Sequence, residues 1–512
     1  MRYSLLLLIL VSCHWVLAQN RVTLKQADQL IGGVKDGERF DRVIGNVIFE
    51  QSRTTIHCDS ALFFRTRNIV EAFGRVKIIE GDSVTITSNR AEYDGNTRIA
   101  KLRSNVVFTK LATATLYTDY LDFDRLKNEA YYFNKGRLVD SINVLTSNKG
   151  YYQVNSNIAS FKRNVVVTNP DYNMKSDSLQ YNSRTKIIYF RTETTVTDKE
   201  GNTFVYEGGE YDTRSQQSDI KQGQAESQSY TLTGNKLKLD DLRKFYTVKG
   251  NVVMTHKEEN LVIYGDDAWL DKRKNIAKVF TNAWLTKVTE EGDTLFMSAD
   301  TLVSIDSDDP AKKRLLAYNN VKIFKKDIQG LADSLEYRQS DSIMFLYKAP
   351  ALWTAGNQMT ADTISMLIEN NTISKIFLTV NAFVISTDTL KNFNQIKGRK
   401  MTAYFKKNQL HRVVVEGNGE SIYFALEDKT NLLMGMNKII CSNITIRFKD
   451  ARVNNLSFYV RPDADFIPPH ELKKDDLLLN GFQWKIEMRP TRKEVVKKTN
   501  SPQMPAAERA RL

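Results

Sequence analysis

Short apolar segments alternate with polar tips along most of the chain, and the stretch from Gly45 to Ile78 shows one cycle of this pattern. An apolar strand begins at Val47, directly after a turn signal, and a polar tip follows it. A second strand covers residues 55–64, with alternating side chains around Asp59 at its centre. A third apolar segment, residues 69–73, leads to the point where the cycle begins again. Apolar segments this short, bounded by Gly, Asn, Asp and Ser, are typical of β-strands.

This cycle returns many times, and two independent series of positions follow it. The first apolar strand falls at Val47, Val76, Val106, Leu138, Val165, Val196, Val252, Trp284, Val321, Leu352 and Phe383. The acidic or amide residue of the second strand falls at Asp59, Asn89, Asp119, Asn148, Asp177, Asn235, Asp266, Asp300, Asp333 and Asp362. Both series advance by roughly 30 residues, a period that indicates a solenoid or a stacked array.

The repeat predicts an all-β fold. Each unit supplies two or three short strands, which cannot bury their apolar faces alone and must stack on the next unit. About 12 such units, with strands spaced about 4.8 Å apart, would extend on the order of 100 Å along one axis. We therefore expect an elongated, solenoid-like stack of antiparallel strands.

The ends of the chain differ from the repeats. The first residues combine an early Arg2, an apolar run and a small residue at Ala18, as in a secretory signal peptide. An alternative interpretation makes Cys13 the lipid-bearing end of an outer-membrane lipoprotein. Toward the other end, prolines interrupt the repeat and the last residues are basic. The predicted segments are a signal peptide (1–18), a lead-in (19–42), β-repeats (43–425), an atypical β-cap (426–490) and a basic disordered tail (491–512).

Charge and cysteine content narrow the function classes. The net charge of +13 is spread thinly outside the basic tail, without the aromatic and basic stripe that nucleic acid requires, so no nucleic-acid partner is expected. A basic exterior remains compatible with anionic lipids. The chain has three cysteines. Removal of the signal peptide would leave Cys58 and Cys441, too few for a disulfide framework.

One face of each first strand is apolar, and its recurrence predicts a continuous apolar lining. If the edges of the stack close on each other, this lining is a core. If the edges stay apart, it is an apolar trough that accepts acyl chains. The candidate lipid-lining residues are Val47, Phe49, Val76, Ile78, Val106, Phe108, Val165, Val252, Met254, Val321 and Ile323.

The acidic series does not indicate catalysis or metal binding. Asn replaces Asp at positions 89, 148 and 235, and both residues serve a hydrogen-bonding role at a turn or strand end. The acidic group that begins at Asp306 lacks the Gly of a calcium loop and is interpreted as a solvated turn. The five histidines have no metal-ligand spacing. We expect no catalytic residues, no metal, no cofactor and no enzyme activity.

The repeated motif resembles that of a known family. An apolar strand follows Gly-Asn at residue 45, and Ser-Asp or Ala-Asp pairs recur in the second strands at residues 176, 299, 332 and 361. This pattern, from about Arg42 to Ala425, is similar to that of the OstA-like/LptA family of periplasmic lipopolysaccharide-transport proteins. The resemblance implies a twisted, V-shaped stack that is open along one edge and holds acyl chains inside. This chain has many more repeats than a minimal member.

Two function classes remain open at this point. The resemblance implies a periplasmic bridge that binds lipopolysaccharide or lipooligosaccharide and shields its acyl chains on the way to the outer membrane. The implied partners are that glycolipid, other lipopolysaccharide-transport proteins joined by end-to-end β-strand pairing, and an outer-membrane translocon. The alternative is a structural or assembly spacer of the outer membrane with a closed β-core and no lipid cargo.

Overall fold

The structure is a computed structural model. It describes residues 21–497 except 83, 111–113, 141, 227–229, 257–259, 290–291, 355, 370–371, 407–408, 428 and 450–451. The predicted signal peptide, Cys13 and the last residues of the predicted tail lie outside this range. The chain divides into two compact units, unit 1 up to Ile220 and unit 2 from Lys221.

The described part of unit 1 consists of antiparallel strands in a nearly sequential order. The strands that lie in it are β1 (Thr23–Gln26), β2 (Gln29–Lys35), β3 (Glu38–Gln51), β4 (Thr54–Phe64), β5 (Ile69–Glu80), β6 (Val84–Asp94), β7 (Ile99–Lys110), β8 (Ala114–Asp124), β9 (Glu129–Asp140), β10 (Asn143–Gln153), β11 (Ile158–Thr168), β12 (Tyr172–Asn182), β13 (Ile187–Phe190), β14 (Thr194–Asp198) and β15 (Thr203–Asp212). Strand β16 (Gln217–Glu226) contains the point of division.

Unit 2 repeats the same architecture. Its strands are β17 (Tyr230–Asp240), β18 (Phe245–His256), β19 (Leu261–Asp271), β20 (Ile276–Phe280), β21 (Trp284–Val288), β22 (Thr294–Ser298), β23 (Thr301–Ile305), β24 (Arg314–Lys325), β25 (Ile328–Arg338), β26 (Ile343–Tyr347), β27 (Ala351–Thr354), β28 (Asn357–Thr360), β29 (Thr363–Glu369), β30 (Thr372–Thr387), β31 (Phe393–Lys406), β32 (Gln409–Leu426), β33 (Leu433–Lys449), β34 (Arg452–Tyr459) and β35 (Asp463–Ile467). The prediction of an all-β stack of antiparallel strands is confirmed.

Two segments that were predicted as separate short strands form one long strand in the structure. Residues 69–73 and the apolar segment that begins at Val76 form one continuous strand, β5, which bends at Gly74 and Arg75. Both of these residues have left-handed backbone conformations, with φ of 70° and 39°. Two residues therefore oppose one residue of the neighbouring strand, which is a β-bulge. Gly45 and Asn46 of β3 do the same. The Gly-Asn signal thus marks a bulge within a strand rather than a turn between strands.

The acidic and amide series lies opposite these bulges. Asp59 pairs with Arg75 at 2.7 Å, and Asn105 donates its backbone N–H to Asp119 at 3.1 Å. In unit 2, Asn320 donates its side-chain amide to Asp300 at 2.8 Å. The predicted hydrogen-bonding role therefore holds, but at a bulge within the strand rather than at the predicted turn or strand end. Carboxylate and amide oxygens both accept such bonds, which is why Asp and Asn alternate along the series.

The bulges divide each repeat into two halves, which we name limb A and limb B. Limb A contains the strand halves around Val47 and Cys58, which are paired. Limb B contains those around Asp41 and Phe63, which are also paired. Buried and partly exposed residues alternate along both halves. Each limb therefore turns one apolar face toward the interior of its unit.

The predicted lead-in belongs to the stack. Strand β1 pairs with limb A of β3, and β2 pairs with limb B of the same strand. Gly32 and Gly33 lie inside β2. Asp36 and Gly37 form a two-residue hairpin loop with φ of 55° and 81°. Asp28 accepts a hydrogen bond from Asn46 at 3.0 Å, so it is an earlier member of the acidic series.

The end of the described chain also differs from the expectation. Strands β33 to β35 continue the antiparallel pairing of the stack. Residues 468–497 then form an irregular segment with short 3-10 turns and one helical turn, α1 (Arg492–Val495). We name this segment the strap. A disordered tail from Thr491 is therefore wrong for residues 491–497, because Val495 is fully buried against Tyr264, Trp284 and Phe296.

Val380 is a strained member of a bulge, because a β-branched residue there has a left-handed φ of 64°. Its side chain is 44% exposed, so little packing depends on it. We predict that Val380→Asn raises the free energy of unfolding by about 1 kcal/mol, since Asn tolerates this conformation. Urea denaturation followed by circular dichroism measures the change. Thr379→Asn, at the adjacent exposed and extended position, is the control and is expected to be neutral or slightly destabilising. A loss of stability in Val380→Asn would contradict the strain argument.

Candidate functional site

All of the predicted lining residues lie in limb A and are buried. Their exposed fractions range from 0% at Phe49 and Val252 to 6% at Met254. The lining candidates of unit 1 are Val47, Phe49, Val76, Ile78, Val106, Phe108 and Val165, and those of unit 2 are Val252, Met254, Val321 and Ile323. The structure therefore places the predicted lining residues on one face of limb A. The side chains that surround them differ between the two units.

In unit 1, side chains from limb B fill the space in front of this row. Phe49 contacts Phe63 edge to face, with ring centroids 5.2 Å apart. Phe108 makes similar contacts with Phe123 at 6.2 Å and with Tyr152 at 5.5 Å. Aromatic pairs at such distances are favourable beyond the area that they bury. Around these residues the interior of unit 1 is a packed core.

The rim of unit 1 is bridged by polar side chains. Row A runs along the limb A ends of the strands, at Gln51, Glu80, Lys110 and Asp140, and row B along their limb B ends, at Phe64, Asp94, Asp124, Gln153 and Asn182. Contacts between the two rows recur along the rim, and we name them together the polar seam. They link Gln51 to Gly95 and Tyr93, Glu80 to Arg125, Lys110 to Val154 and Asn157, and Asp140 to Tyr181 and Lys186.

The contacts of the polar seam have short distances and are buried or partly buried. Arg125 Nε lies 2.9 Å from Glu80 Oε2, and the two side chains are 9% and 16% exposed. Lys186 Nζ lies 2.6 Å from Asp140 Oδ1, and the Asp140 side chain is 3% exposed. Removing one partner of such a pair would leave a buried charge without its counter-ion, which is strongly destabilising.

Burial also changes the protonation behaviour of groups in unit 1. Burial raises the pKa of the Cys58 thiol, which lies in the inner row of limb A, to about 12. Burial likewise raises the pKa of the Tyr132 hydroxyl, which shares a hydrogen bond of 2.7 Å with Ser147. The pKa of Lys110 is lowered, first by burial and then by the nearby charge of Arg184. In each of these groups, burial disfavours the charged form.

In unit 2, a cavity of about 170 Å³ lies between the limbs. Limb A contributes Leu285, Met297, Ile323 and Leu352 to its wall, and limb B contributes Leu315, Met344, Met366 and Phe405. Apolar cavities of about 150 Å³ bind a molecule such as benzene. This cavity is therefore large enough for a segment of an acyl chain.

The mouth of this cavity is lined by paired charges. Lys325 lies 3.5 Å from Asp293 and 3.1 Å from Asp327 in the limb A turns. Lys313 lies 3.2 Å from Asp306 in limb B. The acidic group at Asp306 thus belongs to an ion pair, and Asp309 caps a 3-10 turn through the backbone N–H of Ala311. The arrangement is an apolar interior with a polar, charged rim.

The outer face of limb A in unit 2 is apolar, and the strap covers it. Neighbouring residues alternate between the two faces: Met297 lines the cavity, whereas Phe296 contacts the strap residue Val495. Trp284 lies on this outer face, stacked on Tyr264 with ring centroids 4.2 Å apart. Phe383 also packs with strap residues rather than with the cavity. Trp284 and Phe383, although they belong to the series of first-strand positions, therefore lie on the outer face of limb A instead of the inner face.

Three buried glutamines of limb A bind the strap through their side-chain amides. Gln395 donates to Leu477 O at 2.8 Å and accepts from Leu479 N at 2.9 Å. Gln358 repeats this arrangement, donating to Gln483 O and accepting from Lys485 N, both at 2.7 Å. Gln329 accepts from the Arg489 guanidinium at 2.7 Å. The side chains satisfy backbone groups of the strap as a neighbouring strand would.

The described residues contain no group of three or more His, Cys, Asp or Glu side chains that could hold a metal ion. Within the same ranges, no helix is long and apolar enough to cross a membrane.

The family comparisons identify the repeats. Residues 19–177 match the family described as "OstA-like protein", and residues 231–372 match the family described as "LptA/(LptD N-terminal domain) LPS transport protein". The chain belongs to the OstA-like family of lipopolysaccharide-transport proteins. The first match includes β1 to β11, and the second includes most of the strands around the unit 2 cavity.

Solved structures resemble parts of this OstA-like chain. LptH from Pseudomonas aeruginosa, described as the LptA-homologous periplasmic component of the lipopolysaccharide transport device, is 16% identical. It covers 24% of this chain and 84% of its own, with a TM-score of 0.21. The WD40 domain of SCAP from fission yeast is 7% identical, covers 71% of this chain and 85% of its own, and has a TM-score of 0.11. No curated protein sequence matches the chain.

Sequence reasoning missed three features of this site. The limb B half of the cavity, including Leu315 and Met344, was not predicted because these residues do not belong to the series of first-strand positions. The polar seam joins residues that are far apart along the chain, and no local pattern marks such pairs. The strap has neither helical nor strand periodicity. A usable signal did exist for the earliest repeat, because Ala27-Asp28 has the Ala-Asp signature of the later copies.

The glutamine contacts predict how the strap is held. We expect Gln358→Ala to leave Gln483 O and Lys485 N without their partner, at a cost of about 1–3 kcal/mol. Hydrogen exchange measured by mass spectrometry should then become faster in strap peptides around Lys485. Gln409→Ala, at an exposed position of β32, is the control and should leave this exchange unchanged. Unchanged exchange in Gln358→Ala would show that the glutamine does not hold the strap.

Proposed function

We propose that this chain is a periplasmic protein that binds lipopolysaccharide or lipooligosaccharide and shields the acyl chains during transport to the outer membrane. Its membership of a lipopolysaccharide-transport family supports the general role. The observation that supports lipid binding is the apolar cavity between the limbs of unit 2.

The cavity suits acyl chains because both of its walls are apolar and its rim is polar. The side chains of Leu285 and Ile323 face those of Met344 and Met366 across it. Each methylene group that leaves water contributes about 0.8 kcal/mol. Methionine side chains are flexible and adapt to irregular shapes, so Met297, Met344 and Met366 suit a variable hydrocarbon chain. The charged rim would remain at the level of the glycolipid headgroup.

Free strand edges support a proposal about partners. In the described residues, β1 and β2 pair with β3, and β34 and β35 pair with β33, so each has a free edge. An exposed strand edge is a template for pairing with another chain. We propose that other lipopolysaccharide-transport proteins, and an outer-membrane translocon, join these edges end to end. A signal peptide at residues 1–18 would deliver the chain to the periplasm, and lipid attachment at Cys13 is the alternative.

A structural role is the second candidate, and one observation favours it for unit 1. Its interior around Phe49 and Phe108 is filled, and the polar seam closes its rim. Such a unit can act as a spacer in outer-membrane assembly without lipid cargo. Lipid binding and a spacer role can therefore be distinguished by probing each unit separately within the full chain.

Crosslinking tests the lipid proposal at neighbouring positions. Ile323 lines the cavity, whereas Lys322 points to the opposite face of β24. A photoreactive benzoylphenylalanine at residue 323 should capture lipopolysaccharide during active transport, because the acyl chain passes beside it. The same group at residue 322 is the control and should capture none. Gel shifts detected with a lipid A antibody measure the products.

The same experiment separates the two candidate functions. Phe49 is the corresponding inner position in unit 1, and benzoylphenylalanine at residue 49 reports on that unit separately. Capture at 323 alone would limit the cargo to unit 2, and capture at both positions would extend it to unit 1. Capture at neither position, with transport active, would contradict the lipid proposal and leave the spacer role.

The free edges predict concentration-dependent assembly of the chain. Leu456 lies on β34 and is 38% exposed. We expect Leu456→Lys to weaken end-to-end association, because a charged side chain on an edge strand opposes pairing. Sedimentation velocity measures the mass distribution of the wild type and the variant. Leu242→Lys, at a 63% exposed turn position, is the control. Equal association of all three proteins would exclude β34 from the contact.

A further inference from the structure

In unit 1, backbone hydrogen bonds join neighbouring turns within each row, whereas side chains make the contacts between row A and row B. Along row B, backbone hydrogen bonds join successive turns, as from Arg125 N to Arg98 O at 3.1 Å and from Val154 N to Asn128 O at 2.9 Å. Along row A, Gly81 N donates to Arg53 O at 3.1 Å. The contacts of the polar seam, by contrast, each involve at least one side chain.

The contacts across the rim are made in sequence by successive repeats. Gln51 donates to Gly95 O at 2.9 Å and accepts from the Tyr93 hydroxyl at 2.5 Å. The ion pair of Glu80 and Arg125 comes next along the rim.

Two further contacts complete the polar seam. Lys110 donates to Asn157 Oδ1 at 2.7 Å and to the carbonyl of Val154. Asp140 then accepts from Lys186 and from the Tyr181 hydroxyl. One such contact in each successive repeat closes this part of the rim.

The residues directly behind the polar seam are apolar or aromatic. Tyr93, whose hydroxyl donates to Gln51 in the polar seam, is 2% exposed, and Tyr152 is 4% exposed. Phe108 is 2% exposed and contacts Tyr152. The polar contacts therefore separate the inner apolar row from water.

We propose that the polar seam of unit 1 is a gate, which admits acyl chains to the inner row when the two rows of turns separate. This inference rests on the proposed function, because it takes the acyl chain of a glycolipid as the ligand. It assigns a regulatory role to Glu80, Arg125, Lys110, Asp140 and Lys186.

Separation of the rows is feasible because the described strand pairing lies within each limb. The pairs of β3 with β4 and of β4 with β5 join limb A to limb A and limb B to limb B. The limbs meet at the bulges, such as Gly45 and Gly74, whose left-handed φ values of 79° and 70° require little steric strain in glycine. Opening would therefore break side-chain contacts and aromatic packing while the ladders of both limbs persist.

Cys58 is a native reporter for this opening. It lies in the inner row opposite Val47, and its thiol is 6% exposed. Because thiolate is the reactive form, the buried thiol should react slowly with N-ethylmaleimide, and opening should expose it. Cys441 of unit 2, which is also buried and free, reports on general loosening in the same sample.

The test uses a charge reversal and its rescue in the full chain. Glu80→Arg places two cations across the rim and should speed Cys58 labelling by about tenfold, since labelling follows the population of the open state. The double variant Glu80→Arg/Arg125→Glu restores the pair and should return the rate to the wild-type level. Lys199→Gln, which removes an exposed ion pair with Asp171 outside the polar seam, is the control and should have no effect. Peptide mass spectrometry assigns the label to Cys58 or Cys441.

Added lipid completes the test and separates its outcomes. Lipopolysaccharide should slow Cys58 labelling in Glu80→Arg, because an acyl chain then occupies the inner row. Unchanged Cys58 labelling in Glu80→Arg, with lipid still captured at residue 323, would overturn the gate and leave the proposed function intact. If Glu80→Arg speeds Cys58 labelling but lipopolysaccharide does not slow it, the polar seam is not an entrance for acyl chains and the gate proposal is also overturned.

Absence of capture at residue 323 would contradict the proposed function itself. Failure of the double variant to rescue, with Cys441 labelled equally fast, would indicate unfolding and contradict the gate.

Discussion

Antiparallel pairing of long strands that bend at a two-residue bulge is the constraint on which the whole structure depends. Each bulge puts two residues into left-handed conformations, as at Gly74 and Arg75, and the neighbouring strand supplies a carboxylate or amide to bind it. The bend creates two limbs whose apolar faces turn toward each other. The same local geometry, repeated along each unit, therefore sets both the strand pairing and the interior.

The two units use this interior differently. In unit 1, aromatic contacts such as Phe49 with Phe63 fill it, and the polar seam bridges the turns above. In unit 2, the limbs leave a cavity, and the strap packs on the outer face of limb A. The strap packs on limb A from outside, on the face opposite the cavity. A covered outer face also hides Trp284 and Phe383 from association with other proteins.

Much of the fold was predictable because it is local and periodic. The spacing of Val47, Val76 and Val106 predicted the stack, and the exchange of Asp59 for Asn89 predicted a hydrogen-bonding role. The bend was missed because Gly-Asn also marks turns, and only tertiary context separates a bulge from a turn. The pair Asp140–Lys186 depends on how two limbs approach in space. The strap binds through glutamine side chains, which have no periodic signal. The cavity depends on side-chain volumes of both limbs, which the apolar row of one limb does not determine.

The central claim is that an acyl chain occupies the interior of unit 2, and methyl NMR with a spin-labelled fatty acid tests it most directly. Paramagnetic broadening reports proximity to each labelled isoleucine or methionine methyl group. The account predicts broadening of Ile323, Met344 and Met366, which line the cavity, and sharp signals from Ile78 in the closed core of unit 1. Broadening confined to exposed methyl groups such as Met434 and Met488, with the cavity signals unchanged, would contradict the claim.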